Sequence, residues 1–310
     1  MLMRPNTDSL CHTYSIVARD AATGQLGVAV QSHHPAVGAV VTWAEAGVGA
    51  VATQALADPS YGKLGLDLMR AGKSAATALA GLLASDSNRE IRQVAMVDAR
   101  GGVAAHTGNL TVAEAGHWVG EGFSAQANMM LKNTVWSAMA KAYEAAEGDL
   151  AERMLAALDA AEQEGGDIRG RQSAAILIVA GQDSGRPWYD SVFNLRVDDA
   201  SEPLVELRRL VGVRRAHIHL GAGNQAAMRG DASASEREYA AAERLVGNNP
   251  EMRFWHAIAL LGLGNVDRGL GLLREIAQRD RNWITLALRL PEMFLANRSE
   301  LEPRIRALLE

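Results

Sequence analysis

With one cysteine in 310 residues, Cys11, the chain has no means of forming an intrachain disulfide, so its fold rests on burial and hydrogen bonding alone. Aromatic residues are scarce, at 5%, and positive charge is not in excess: 31 Lys and Arg stand against 36 Asp and Glu, a net −5. A chain without a basic field has little to hold a phosphate backbone or an anionic bilayer, so neither nucleic acid nor membrane is an expected partner. No run approaches the roughly 18–20 apolar residues that span a bilayer. The opening MLMRPNTDSL lacks the apolar stretch of a signal peptide, and a cytoplasmic location is the expectation. Absent too are a phosphate-binding glycine loop, GxGxxG after a strand, HExxH, CxxC and GxSxG. No metal and no cofactor are therefore expected. His33 and His34 are adjacent and on a strand would point to opposite faces, while His217 and His219 stand two apart on an expected helix. Neither spacing suits a shared ligand.

What is present is globular, with 48% hydrophobic and 22% charged residues. The length suits two domains at roughly 100–200 residues each, or one large domain with an appendage. TYSIVAR and LGVAVQS around DAATG predict a hairpin. AVGAVVTW and VGAVATQ predict a second strand pair, and helical spacing then takes over from Leu64 to Leu83, with Ser74 as an N-cap. QVAMVDA and VAAHT form a further expected hairpin around Arg100-Gly101-Gly102. A helix pair follows, capped by Thr134 and by Asp149 with Glu152, before the strand-like QSAAILIVA and WYDSVFNLRV. Strand pairs alternating with helix pairs point to an α+β domain with helices packed on antiparallel sheets. From about residue 203 the period is helical throughout. Phe254, Trp255, Ile258 and Leu261, then Leu270, Leu273 and Ile276, are split by Gly262 to Asn265, as in a tetratricopeptide-like helical repeat. A generic helical hairpin satisfies the same spacing.

The strings SIVARD, GVAVQSH, AVGAVV, WAEAGVGAVATQ, PSYG, MVDARG, HTG, QANMM and GGDIRGRQSAA resemble the bacterial family called domain of unknown function 1028, from about Thr13 to Leu210. The opening also resembles the N-terminal nucleophile (Ntn) hydrolases, in which a Thr, Ser or Cys begins the first strand. The resemblance implies a four-layer αββα sandwich over 13–212, preceded by a leader or pro-segment, 1–12, and followed by an all-α appendage, 213–310. It implies an amidohydrolase acting on a small amide or peptide-like substrate, with Thr13 as nucleophile and its α-amine as base, because a hydroxyl needs a base beside it and an α-amine near pKa 8 serves. That amine is tied up in the His12–Thr13 peptide bond, so activity requires cleavage there.

On the same resemblance, Asn128 and Gln54 join Thr13 as catalytic candidates, Asn128 by offering an amide N–H to an oxyanion. Gln31, Ser32, His33 and Thr53 are candidates to surround the substrate, and Asp167, Arg169 and Arg171 of GGDIRGRQS to bind a polar or acidic end of it. The lysine that proteasome-type members place beside the nucleophile has no counterpart, since the first lysine is Lys63. Arg19, Arg169 or Arg171 would supply that charge. Alternatives stand beside each assignment: Thr13 as an ordinary strand residue, Cys11 as a rival nucleophile, Gln31, Thr53 and Gln54 as strand-end polar groups satisfying backbone, and Asp98 as a turn-former. The family's later helical region is often labelled peptidoglycan-binding. The rival to the hydrolase is a non-catalytic scaffold whose helical region binds a protein partner or mediates homo-oligomerisation.

Overall fold

The computed structural model describes residues 9–295 and 298–309; residues 1–8 of the expected leader, and the Cys11 side chain, lie outside the described part. Eleven strands occur among the described residues: β1 (Ser9–Cys11), β2 (Thr13–Arg19), β3 (Leu26–Ser32), β4 (Thr42–Glu45), β5 (Gly49–Ala57), β6 (Arg92–Asp98), β7 (Val103–Thr107), β8 (Gly116–Gly120), β9 (Phe123–Ala127), β10 (Ser173–Val179) and β11 (Ser191–Val197). They form two antiparallel sheets. The first runs β1-β5-β6-β7, with β4 also on β5; the second runs β11-β10-β3-β2-β9-β8.

The expected first hairpin is β2–β3, in register from Thr13 opposite Ser32 to Arg19 opposite Leu26. Its turn is tied by the Asp20 carboxylate, which accepts the Thr23 N–H and hydroxyl at 2.7 Å each. Val17, Val28 and Val30 of the second sheet meet Ala50, Ala52, Ala95 and Val97 of the first, so the sheets pack face to face through small and β-branched side chains. Val51, Val94 and Met96, on the other face of the first sheet, receive Tyr61, Leu66 and Met69 of α1 (Ser60–Arg70) and Ala78 and Leu79 of α2 (Ala75–Ser85). Behind the second sheet lie α3 (Val135–Ala145) and α4 (Leu150–Gln163), where Tyr143 packs against Phe123 in a tilted pair at 4.6 Å between centroids and the Tyr14 hydroxyl donates to Glu162 at 2.5 Å. The result is a mixed α/β unit with a helix pair on each outer face.

Local chemistry accounts for the joints. Ser74 caps α2 by accepting the Thr77 N–H, and Asp149 caps α4 by accepting that of Glu152. Asp98 does more than turn the β6–β7 hairpin: its buried carboxylate accepts the N–H groups of Arg100 and Gly102 and also that of Ala75 at the start of α2. Gly101 sits at φ 87°, which side chains rarely adopt. Two expectations fail. AVGAVVTW is not a strand before Thr42, because Val37–Ala39 curl into a 3₁₀ turn after Ala36 at φ 51°. Thr134 does not cap α3 through its side chain; its hydroxyl donates instead to Glu164.

Residues 210–310 form a second compact unit, and the boundary falls inside α5 (Pro203–Met228). After it come α6 (Ala232–Val246), α7 (Pro250–Gly262), α8 (Val266–Ala277), α9 (Asn282–Arg289) and α10 (Arg298–Arg306). Asn249 caps α7 ahead of Pro250, whose missing N–H costs nothing in a first turn. Phe254, Ile258 and Leu261 of α7 close on Leu270, Leu273 and Ile276 of α8, and Ile284 and Ile305 complete that core. No helix among the described residues is long and apolar enough to cross a membrane.

Candidate functional site at the His12–Thr13 junction

Strand β1 pairs with β5 of the first sheet, from Ser9 opposite Ala57 to Cys11 opposite Ala55, whereas β2 lies between β3 and β9 of the second. The chain therefore crosses from one sheet to the other at His12. Both sides of the crossing are buried, His12 at 6% exposure and Thr13 at 0%. Alternation along β2 turns Thr13, Ser15 and Val17 between the sheets and Tyr14, Ile16 and Ala18 toward α3 and α4. Ser15 confirms the direction by donating to Gln54 of β5 at 2.6 Å, and Tyr14 by reaching Glu162 of α4.

The carbonyl of His12 is held from two directions. Ser32 Oγ donates to it at 2.6 Å and an Arg169 guanidinium N–H at 2.9 Å. Arg169 is itself fixed by a two-point pair with Asp167, at 3.0 and 2.7 Å, and the Asp167 side chain is fully buried. The second Asp167 oxygen also accepts the His33 N–H at 3.2 Å. On the other side of the bond, the Thr13 carbonyl accepts the Asn128 N–H at 3.1 Å and the Gln54 side-chain amide at 3.2 Å. Asn128 Oδ1 accepts from His12 Nδ1 at 2.9 Å. Burial pushes the His12 imidazole below its ordinary value of 6.5, against the opposing pull of the Asn128 hydrogen bond.

Behind these groups the space between the sheets is polar. Gln93 Oε1 accepts from Gln54 at 2.6 Å and from Asn128 at 2.9 Å, while its amide nitrogen donates to Thr107 Oγ1 and the Ala127 carbonyl at 2.9 Å. Gln126 donates to Ser15 at 2.7 Å and accepts from Ser124 at 2.9 Å. Two residues of the network are each followed by a strained position: Ala55 after Gln54 at φ 69°, and Met129 after Asn128 at φ 58°. Alanine and methionine at positive φ are uncommon, and such strain gathers where function fixes the backbone.

The structure thus brings together Thr13, Ser32, Gln54, Asn128, Asp167 and Arg169. It sets the others apart, Gln31 and Thr53 by strand alternation. Gln31 faces α4 with its cross-strand neighbour Tyr14, and its buried amide has no hydrogen-bond partner among the described residues. Thr53 points away from Gln54 and donates to the Asp58 carbonyl. Arg171 pairs with Glu162 at 2.8 Å and with Glu202, on the helix side of the sheet. His33 is exposed and contributes its backbone N–H alone. Arg19 ends β2, six residues or about 20 Å along the strand from Thr13, too far to act as the missing cation. Thr13 itself is wholly buried, because His12 and the network fill that end of the sheets. Gln93, His12 and Ser15 were not among the expected site residues. Gln93 stands next to Arg92 at the edge of the apolar run VAMV, and that was the available signal.

A family model described as a family of unknown function, DUF1028, matches residues 13–207. The crystal structure of protein SPO2555 from Silicibacter pomeroyi, assigned to the same family model, is similar at 32% identity and a TM-score of 0.58, over 64% of this chain and 87% of that one. No curated protein matches.

Proposed function

This chain belongs to the DUF1028 family, and on that premise we propose that it is an amidohydrolase of Ntn type, whose nucleophile is Thr13 once the His12–Thr13 bond is cut. The observation that carries the reading is the double clamp on the His12 carbonyl by Ser32 and Arg169. Two donors aimed at one buried carbonyl are what an oxyanion needs, and this carbonyl is the one that Thr13 Oγ1 would attack. In that step the C–O bond forms, the His12–Thr13 C–N bond breaks, and the hydroxyl proton passes to the departing nitrogen. Water then hydrolyses the ester, releasing the leader's carboxylate and leaving Thr13 with a free amine and a free hydroxyl. The amine becomes the base for turnover, and the same two donors would hold the oxyanion of each substrate.

The order helix pair, sheet, sheet, helix pair agrees with the αββα sandwich of that superfamily. Strand β1, laid antiparallel along β5, is the acyl half of the self-cleavage reaction and supports a peptide-like acyl group as the substrate class. Arg169 supplies the positive charge in place of a lysine. A second reading rests on the complete burial of Thr13: the junction is then a structural knot, and the helical unit carries the role by binding a protein partner or a second copy. Intact-mass spectrometry separates them. The hydrolase reading requires loss of residues 1–12 in the wild type and their retention in Thr13→Ala; an active wild-type protein that keeps Met1 to His12 overturns it.

A further inference from the structure

A groove of about 540 Å³ lies on the sheet unit between the 107–117 segment and the first turn of α3. Its walls include Thr107, Asn109, Thr111, Glu114, His117 and Trp136. None of the lining residues is Lys or Arg, and Glu114 is the one formal charge among them. Among the described residues no cation or donor pairs with the half-buried Glu114 carboxylate. We infer that this groove is a binding site for the protonated amine of a small ligand.

Three features fix the charge of the ligand. The first is the unpaired carboxylate itself, which attracts a cation and repels an anion. The second is Trp136, an indole in the wall of the groove, and an aromatic ring of this kind attracts an ammonium group. It is held in place by Gly116, where a Cβ would come within 2.6 Å of the ring, so only glycine allows this approach. The third is His117, which adds no competing positive charge. His117 Nδ1 lies 2.8 Å from Thr107 Oγ1, a neutral hydroxyl that also accepts from Gln93, and among the described residues no carboxylate pairs with the ring to hold it protonated. Partial enclosure of the ring and the neighbouring His106 also lower the His117 pKa. A hard divalent cation is a poorer fit, because one carboxylate falls short of the six or more oxygens such ions take, and no group of three His, Cys, Asp or Glu among the described residues could hold a metal.

The groove touches the junction through Thr107 and Gln93, yet the site stands whether or not Thr13 is a nucleophile. Calorimetric titration of the full-length protein with benzylammonium, benzyl alcohol and benzoate tests the charge preference with the ring held constant. The expected order is benzylammonium first, benzyl alcohol about tenfold weaker or more, and benzoate unbound. Glu114→Gln should abolish the preference for the cation while thermal unfolding stays unchanged, since Glu114 has no partner to lose. Trp136→Phe should weaken benzylammonium and keep the order. Equal binding of all three compounds, binding of none, or an unaltered preference in Glu114→Gln overturns the proposal.

Discussion

Replacing Ser32 by alanine removes one of the two donors on the His12 carbonyl and leaves the other, so it separates the role of that clamp in the fold from its role in chemistry. In the folded ground state the loss is small: one neutral hydrogen bond contributes about 1 kcal/mol, and the carbonyl is still satisfied by Arg169 at 2.9 Å, so no acceptor is orphaned. In the transition state for attack by Thr13 the same oxygen becomes an anion. A hydrogen bond to it is then worth about 3–4 kcal/mol, which corresponds to a rate loss of roughly 100- to 1,000-fold. The Ser32→Ala chain should therefore unfold at nearly the wild-type urea concentration and yet cleave at His12–Thr13 at least about a hundredfold more slowly. Mass spectra taken at intervals after purification report the cleaved fraction directly. Wild-type cleavage kinetics in this variant, with its fold intact, would refute the reasoning, because the donor would then be a structural contact and nothing more.

Gln93→Leu leaves the Gln54 and Asn128 amides without their shared acceptor and should cost about 2–5 kcal/mol, read as a fall in the urea midpoint without loss of secondary structure. The His12 imidazole is held below its ordinary value of 6.5, so the folded state binds fewer protons there than the unfolded chain. Its contribution is present above about pH 6.5 and is lost as pH falls through the lowered folded value; in the Thr13→Ala background, which keeps His12, the stability difference made by adding His12→Gln, measured by urea unfolding at a series of pH values, should shrink or change sign over that window. Leu273→Ala empties a fully buried position in the helical core and should cost about 2–5 kcal/mol of that unit's stability. Because the helical cluster and the inter-sheet cluster share no residue, hydrogen exchange should quicken in 210–310 and stay unchanged in β2, β3 and β5.

Periodicity made most of the elements legible. Segments such as TYSIVAR and QSAAILIVA are β-branched and bounded by turn residues, so their strands announce themselves; the apolar spacing of Phe254 to Ile276 likewise defines a helix pair. That the strand begun by Thr13 pairs with the one ended by Ser32 followed from the expected hairpin. The 3₁₀ turn at Val37–Ala39 was not legible, because AVGAVV has strand composition and what bends it is a distant backbone bond, Ala36 N–H to Asp198. The site was legible in part for a similar reason. Proximity at a strand end suggested Gln31 and Thr53 as readily as Ser32 and Gln54, and the face each side chain takes depends on register against the partner sheet. The choice between Arg169 and Arg171 rests on a loop carrying Gly165, Gly166 and Gly170 at positive φ, a conformation that no local pattern specifies.

The network between the sheets bears on the choice between a catalytic junction and a merely structural one. Elsewhere the two sheets meet through valine and alanine, and that packing would extend to the end of the strands with little loss. Instead Ser15, Gln54, Gln93, Ser124, Gln126 and Asn128, all fully buried, replace it with amides and hydroxyls that satisfy one another. Such an arrangement stabilises no better than an apolar filling of the same shape, because each group first gives up its hydrogen bonds to water. It does fix the positions of polar atoms to within a hydrogen bond. The atoms fixed are those flanking one peptide bond: the Thr13 carbonyl by Gln54 and Asn128, and the His12 ring by Asn128. The strained backbone at Ala55 and Met129 adjoins the same two side chains. A fold that only needed to carry the chain from one sheet to the other would gain nothing by this concentration of polar groups and strain. A fold that needed the His12 carbonyl and the Thr13 hydroxyl in one fixed geometry would require it.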